Sequence, residues 1–310
     1  MRASRPRRIL AALAGLAIVA TACGGDDDNG DGAVGDIDVP DGPDIVVSSF
    51  NFPESEILGE VYAQAMEEAG YPGDRALNLG ARELLYPEGL LSGDVDLLPE
   101  YLGSALVVWF EQDPPEDVDA GVAALTEALE PEGVSVLTPA PAENANVFVV
   151  TGTFANEHDL SSVADLADLD SVTFAGPPEC EDRDTCYRGL TDVYGLDNVA
   201  FESVQEGAAR LAGVESGEYD MILLFSTDAP LAGEMLVALE DTEGIIPPEN
   251  ITPVLRTEVI NTYGEDLTNL LDQVTAALTT EVLQQMNANA SEGLSPAEIA
   301  TSVLENNGLI

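Results

Sequence analysis

Few residues in this chain have side chains that could do chemistry, and their scarcity narrows the function. His158 is the only histidine, in the polar run Asn156-Glu157-His158-Asp159, which reads as a surface loop. The cysteines are Cys23, Cys180 and Cys186. With Cys23 set aside in the N-terminal segment, the two remaining cysteines and one distant histidine do not supply the four ligands of a zinc site, so no metal is expected. Nucleophile elbow, phosphate loop and Gly-rich dinucleotide turn are all absent. Carboxylates are so abundant that no pair of them is informative. The expectation is a protein that binds rather than catalyses, with no cofactor.

Cations are rarer still in useful positions. The chain carries 10 basic residues against 58 acidic ones, a formal net charge of -48. Four of the ten are Arg2, Arg5, Arg7 and Arg8, and lysine is absent. Beyond them stand only Arg75, Arg82, Arg183, Arg188, Arg210 and Arg256. Nucleic acid is excluded as a partner, because its phosphates need clustered Lys or Arg. An anionic membrane surface is disfavoured for the same reason. The acidity reads first as solvation in a salty or otherwise unusual medium. A ligand carboxylate would have to meet one of the six arginines or a helix N-terminus.

One internal echo points to where a ligand would sit. Ser92-Gly93-Asp94-Val95-Asp96 and Ser216-Gly217-Glu218-Tyr219-Asp220 are the same phrase, and five residues past each terminal Asp comes an aromatic, Tyr101 and Phe225. Each phrase reads as helix end, turn and strand, so each ring is carried to a strand's C-terminal end, where open α/β sheets bind ligands. Two similar lobes presenting matched rings across a crevice describe a clamp.

The elements needed to position these rings follow from periodicity. Ile45 to Val47 reads as a strand. Asn51-Phe52-Pro53-Glu54 reads as a capping box opening a helix whose apolar face includes Ile57, Val61 and Ala65. Further strands are expected at 76–79, 95–98, 134–137, 147–150, 172–175 and 219–225. Helices are expected at 83–91, 101–110, 118–129, 163–169, 190–194, 204–214, 267–286 and 296–305. Strands separated by helices give an α/β fold with largely parallel sheets.

The N-terminal segment reads as an address. A basic start and an apolar run from Ile9 to Ala20 end in Ala20-Thr21-Ala22-Cys23, too short to span a bilayer but suited to a signal peptide. It resembles a bacterial lipobox, with 1–22 removed and Cys23 lipidated. Residues 23–43, rich in Gly and Asp, read as a disordered tether. In an exported chain Cys180 and Cys186 are expected to form a disulfide.

Longer motifs carry a family resemblance. Ser48-Ser49-Phe50-Asn51-Phe52-Pro53-Glu54, Gly93-Asp94-Val95-Asp96-Leu97-Leu98-Pro99-Glu100-Tyr101-Leu102-Gly103-Ser104 and Phe225-Ser226-Thr227-Asp228 resemble the quaternary-amine-binding proteins of osmoprotectant ABC importers. The resemblance runs through 44–310. It implies a type II periplasmic-binding-protein fold, each lobe a mostly parallel sheet flanked by helices. Lobe 1 would comprise 44–142 with 253–310, and lobe 2 would comprise 143–252. It implies an ABC permease as partner and a small osmolyte such as glycine betaine, choline or carnitine as ligand. In that family aromatic rings cage the ammonium, since a trimethylated nitrogen donates no hydrogen bond.

Carried onto this chain, Tyr101 matches a cage tyrosine, Ser104 the hydroxyl residue after it, Arg183 the carboxylate clamp and Phe225 another cage aromatic. Phe50 and Asn51 stand at a strand end beside a helix start, and Thr227 lies in the Phe225 motif. Phe50 replaces a frequent lysine, while Asn146 and Glu249 replace cage tyrosines, so the cage is thinner and partly polar. Three classes of function stand beside one another. The first is an importer's amine-binding protein, and the second a binding or sensor protein of the same fold for another ligand. The third is a structural lipoprotein or an enzyme.

Overall fold

The structure, a computed structural model, describes residues 39–80, 82–205 and 207–310. Cys23, the signal segment and most of the expected tether lie outside these residues. The described residues begin against lobe 1. Val39 packs on its core, and the carbonyl of Pro43 accepts a hydrogen bond from the Tyr263 hydroxyl. The last residues assigned to the tether by composition are thus part of the packed structure.

The elements run β1 (Ile45–Ser48), α1 (Pro53–Glu68), β2 (Gly73–Ala76), α2 (Arg82–Leu85), β3 (Leu97–Tyr101), α3 (Leu102–Phe110), α4 (Val118–Leu129) and β4 (Val134–Val136). The chain then crosses into β5 (Asn146–Thr151), α5 (Gly152–His158), β6 (Val172–Gly176), α6 (Tyr187–Asp192), β7 (Val199–Ser203), α7 (Gly207–Ser216), β8 (Met221–Phe225) and β9 (Leu236–Ala238). It returns through β10 (Ile251–Arg256) to α8 (Thr257–Tyr263), α9 (Glu265–Ala277), α10 (Thr280–Ser291) and α11 (Pro296–Asn306).

Two five-stranded sheets result, ordered β2-β1-β3-β10-β4 and β7-β6-β8-β5-β9. In each, four strands run one way and a single strand, β10 or β5, is antiparallel to both its neighbours. The reversed strands are the ones that enter from the crossings. In lobe 2 alternate residues of β5 and β8 point to opposite faces: Phe148, Val150, Met221 and Leu223 join one core cluster, Val149, Ile222 and Leu224 another. Both faces are therefore covered, which is why these strands read as continuous apolar runs.

The sequence echo is a structural one. Asp96 and Asp220 each donate their own N–H to the neighbouring strand, at Val46 O (2.9 Å) and Thr173 O (3.0 Å). Each carboxylate accepts an N–H back from that strand, at Val46 (2.9 Å) and Thr173 (2.8 Å). Gly93 and Gly217 sit in the left-handed region at φ 85° and 75°, closing the preceding turn so that the Asp arrives in register.

Several expectations are corrected. Phe52, not Asn51, is the N-cap of α1, and it makes no side-chain cap bond. The Ser55 hydroxyl takes the Phe50 N–H instead (2.9 Å). The strand expected at 76–79 lies earlier, at β2, and the single helix expected over 267–286 is two, broken at Leu278 and Thr279. His158 ends α5 with its ring against Phe154, centroids 4.6 Å apart. The strand β10 was hidden by Pro253, which lies opposite Pro99 of β3, so the two residues lacking an N–H face each other.

Gly217 separates backbone strain from crowding, because a Cβ there would meet nothing within 4 Å. Gly217→Ala is expected to cost about 1–2 kcal/mol for the left-handed conformation alone. Gly93→Ala should cost more, since its Cβ would fall 2.7 Å from Arg256 Nη1 and push that guanidinium from its pairing with Asp96 and Glu258. Urea unfolding of both variants checks the order.

Candidate functional site

Tyr101 and Phe225 are the last residues of β3 and β8, the equivalent third strands of the two sheets. Beside them run the two crossings, which pair with each other: Asn144 N–H donates to Glu249 O (2.9 Å) and Ile251 N–H to Ala142 O (3.1 Å). Both rings line a cleft of about 940 Å³, a size suited to a small molecule.

The lobe 1 wall is built around Glu54, in the first turn of α1 and only 4% exposed. Its Oε1 accepts from the Tyr101 hydroxyl and from Asn144 Nδ2, both at 2.8 Å, and its Oε2 from Asn287 Nδ2 at 2.6 Å. Asn287 also donates to Thr227 O (2.8 Å), and Gln284 to Ser226 O (2.8 Å). Through α10, one carboxylate thus connects α1, a crossing and the turn after β8. From the return crossing, Glu249 Oε2 accepts from the Ser104 N–H (3.0 Å) and Oε1 from the Ser104 hydroxyl (2.9 Å). Gly103 is required for that approach, since a Cβ would meet Pro248 O at 2.9 Å.

Of the residues singled out in the sequence, Tyr101, Ser104, Phe225, Thr227 and Glu249 line this cleft. Arg183 and Asn146 line a second concavity of about 520 Å³ that shares Phe225, Asp228 and Pro230 with the first. Asn146 lies opposite Phe225 in the β5–β8 ladder. Phe50 and Asn51 line neither concavity; Phe50 is packed inside lobe 1, and Asn51 is exposed with its N–H bound to Gly80 O (3.1 Å). The rings differ sharply in availability, Tyr101 being 3% exposed and Phe225 52%.

Sequence reasoning missed Phe52, Glu54, Arg82, Asn144 and Asn287, all lining the cleft. Glu54 stood within a recognised motif but read as a helix cap. Arg82 was visible as one of six scarce cations, without a reason to prefer it. Asn287 gave no signal, because its partner Glu54 is 233 positions away.

Charge at the site is lopsided. Among the described residues, Glu54, Glu56, Asp228 and Glu249 line the cleft with Arg82 as the one guanidinium. Burial raises the carboxyls of Glu249 and Asp228 above the usual range, opposed by hydrogen bonds from Ser104 and from the Phe225 N–H. Behind Tyr101, Glu100 is wholly buried. Its Oε1 meets Arg82 Nε (2.8 Å) and the Tyr101 N–H (2.7 Å), while Oε2 has no partner among the described residues. Burial pushes Glu100 up to about 7 despite the Arg82 charge. Such a site favours a ligand bearing positive charge.

Two α/β lobes of matching strand order, joined by paired crossings beside a ligand-sized cleft, define a type II periplasmic solute-binding protein. The solved structure of ligand-free YehZ from Escherichia coli has the same fold, with a TM-score of 0.77 and 26% identity over 87% of this chain and 100% of that chain. Residues 43–306 match the substrate binding domain of the ABC-type glycine betaine transport system, and the chain belongs to that family. The glycine betaine-binding protein YehZ of Escherichia coli (strain K12) is 27% identical over 269 residues, covering 82% of this chain and 88% of that one. A glycine-betaine-binding protein of Pseudomonas aeruginosa is 26% identical over 276 residues, covering 85% and 88%. The protein is an extracytoplasmic binding component of an ABC importer, not an enzyme.

Glu54→Ala would strand the buried Tyr101 hydroxyl and take an acceptor from the half-buried Asn144 and Asn287 amides, and a loss of about 1–3 kcal/mol is expected in chemical unfolding. Glu100 supplies a pH signature. Its folded value lies above the 4.5 of an ordinary carboxyl, so the folded chain holds the proton more tightly than the unfolded chain. Its contribution is therefore fully present below about 4.5 and declines as pH rises to about 7. Relative to Glu100→Gln, the wild-type chain should lose stability across that window in unfolding titrations at stepped pH.

Proposed function

We propose that the chain captures a small quaternary amine, such as glycine betaine, choline or carnitine, in the cleft between its lobes and hands it to an ABC permease. The observation that carries this reading is the placing of Tyr101 and Phe225 at equivalent strand ends beside a cleft with four carboxylates and one guanidinium. Ring faces and carboxylates both attract a cation that cannot donate a hydrogen bond. In this reading Tyr101, Ser104, Phe225, Thr227 and Glu249 surround the ammonium end. Arg183 with Asn146, in the adjoining concavity, receives a carboxylate when the solute has one. The lobes are 44–142 with 253–310, and 143–252, and they close over the solute by bending at the paired crossings.

A lipid anchor would hold the protein at the membrane face, beside its permease. Cys23, following an apolar run and Ala20-Thr21-Ala22, is the proposed lipid attachment point after removal of 1–22. The covalent link between Cys180 and Cys186, whose Cα atoms lie 5.3 Å apart, fits an oxidising compartment. A second reading, the same clamp for a different polar or protonated amine, is favoured by Glu249 and Asn146. Both put hydrogen-bonding groups where rings would complete an aromatic cage.

Calorimetric titration with glycine betaine, choline, carnitine and a primary-amine osmolyte separates the two. Binding of a quaternary amine, weakened roughly two- to thirty-fold by Phe225→Ala, is the expected result. Binding of the primary amine alone favours the second reading, and silence across the wild-type and ring variants overturns both.

A further inference from the structure

The rings of lobe 1 already hold a cation. Arg82 Cζ lies 4.6 Å from the centre of the Phe50 ring and 5.6 Å from that of Tyr101. Phe52 stacks on Phe50 with centroids 5.9 Å apart and tilts against Tyr101 at the same distance. The guanidinium is held there by Glu100 through Nε (2.8 Å), and the Arg82 carbonyl accepts from Trp109 Nε1 (3.1 Å). Charge, ring faces and backbone all fix this arginine in place.

The consequence is visible in exposure. Tyr101 stands at the C-terminal end of its strand and on the cleft wall, yet it is 3% exposed, against 52% for its counterpart Phe225. Phe52 and Arg82 cover its ring, and Glu54 takes its hydroxyl. A guanidinium suits this task because it is planar, weakly hydrated and able to stack on rings while still donating to a carboxylate. A quaternary ammonium can use the same ring faces but can offer Glu100 no hydrogen bond.

We propose that Arg82 is a resident substitute for the ligand's cation, occupying the lobe 1 rings when no solute is bound, so that an incoming ammonium must compete with it. Arg82 is then the specificity-determining residue of the cleft: it lowers affinity for simple quaternary amines and selects solutes able to displace it. This rests on the amine reading of the site proposed above.

The test removes the resident cation without leaving its buried partner unpaired. Arg82→Gln with Glu100→Gln, and Arg82→Gln alone, are compared with the wild-type chain by calorimetry, with thermal unfolding to establish that each is folded. Choline is the deciding probe, because it has no carboxylate and loses nothing if Arg82 also meets anions. The expected result is choline binding roughly three- to thirty-fold tighter in the folded double variant, the range of a vacated cation–π site. Should the double variant not fold, the same gain is expected of the single variant. Binding that appears only in the variants also supports the proposal. Equal or weaker binding in folded variants, with the wild type binding choline, overturns the role of Arg82 and leaves the amine reading standing. No binding of any quaternary amine by wild type or variants overturns both.

Discussion

The carboxylate of Glu54 is the point on which the cleft depends, because three elements distant in sequence use it as their common acceptor. A buried carboxylate is tolerable only when its lone pairs are met, and here Tyr101, Asn144 and Asn287 meet them. Remove that acceptor and Tyr101, one crossing and the helix that grips the turn after β8 lose their shared reference. The position of the rings relative to the crossings is therefore an electrostatic matter as much as a packing one.

A second constraint is the charge balance. In a chain with 58 acidic residues, burying a carboxylate near the cleft needs either hydrogen-bond donors or one of the few guanidiniums. Glu54 and Glu249 are served by amide, hydroxyl and backbone donors, and Glu100 by Arg82. Other arginines are spent on structure: Arg75 on Glu60 and Glu67, Arg256 on Asp96 and Glu258. The cleft is left acidic, which suits a cationic solute and repels an anionic one.

The two lobes solve the same problem with the same device. A turn closes at a left-handed glycine, an Asp bonds the neighbouring strand both ways, and a five-residue strand carries a ring at its end to the edge of the cleft. The difference lies in what surrounds the ring. Tyr101 is enclosed by Phe52, Arg82 and Glu54, whereas Phe225 projects from the end of β8 with its N–H tied to Asp228 (2.9 Å). One lobe thus offers an occupied aromatic face and the other an open one.

Local pattern was enough for the alternation of strands and helices and the repeated Ser-Gly-acid phrase, because each depends on residues within a dozen positions of one another, although β3 runs on to Tyr101 where a helix was expected to begin. The internal echo marked Tyr101 and Phe225, and the family resemblance added Ser104, Thr227 and Glu249 as candidates, five residues that line one cleft. The reversed strand β10 was hidden, because Pro253 is tolerable there only opposite Pro99, a pairing made in three dimensions. The partners of Glu54, the burial of Phe50 and the seating of Arg82 among rings were likewise decided by the tertiary structure. Hydrogen bonds and cation–ring contacts act over a few ångströms of space, and sequence separation carries no trace of which distant side chains will come that close.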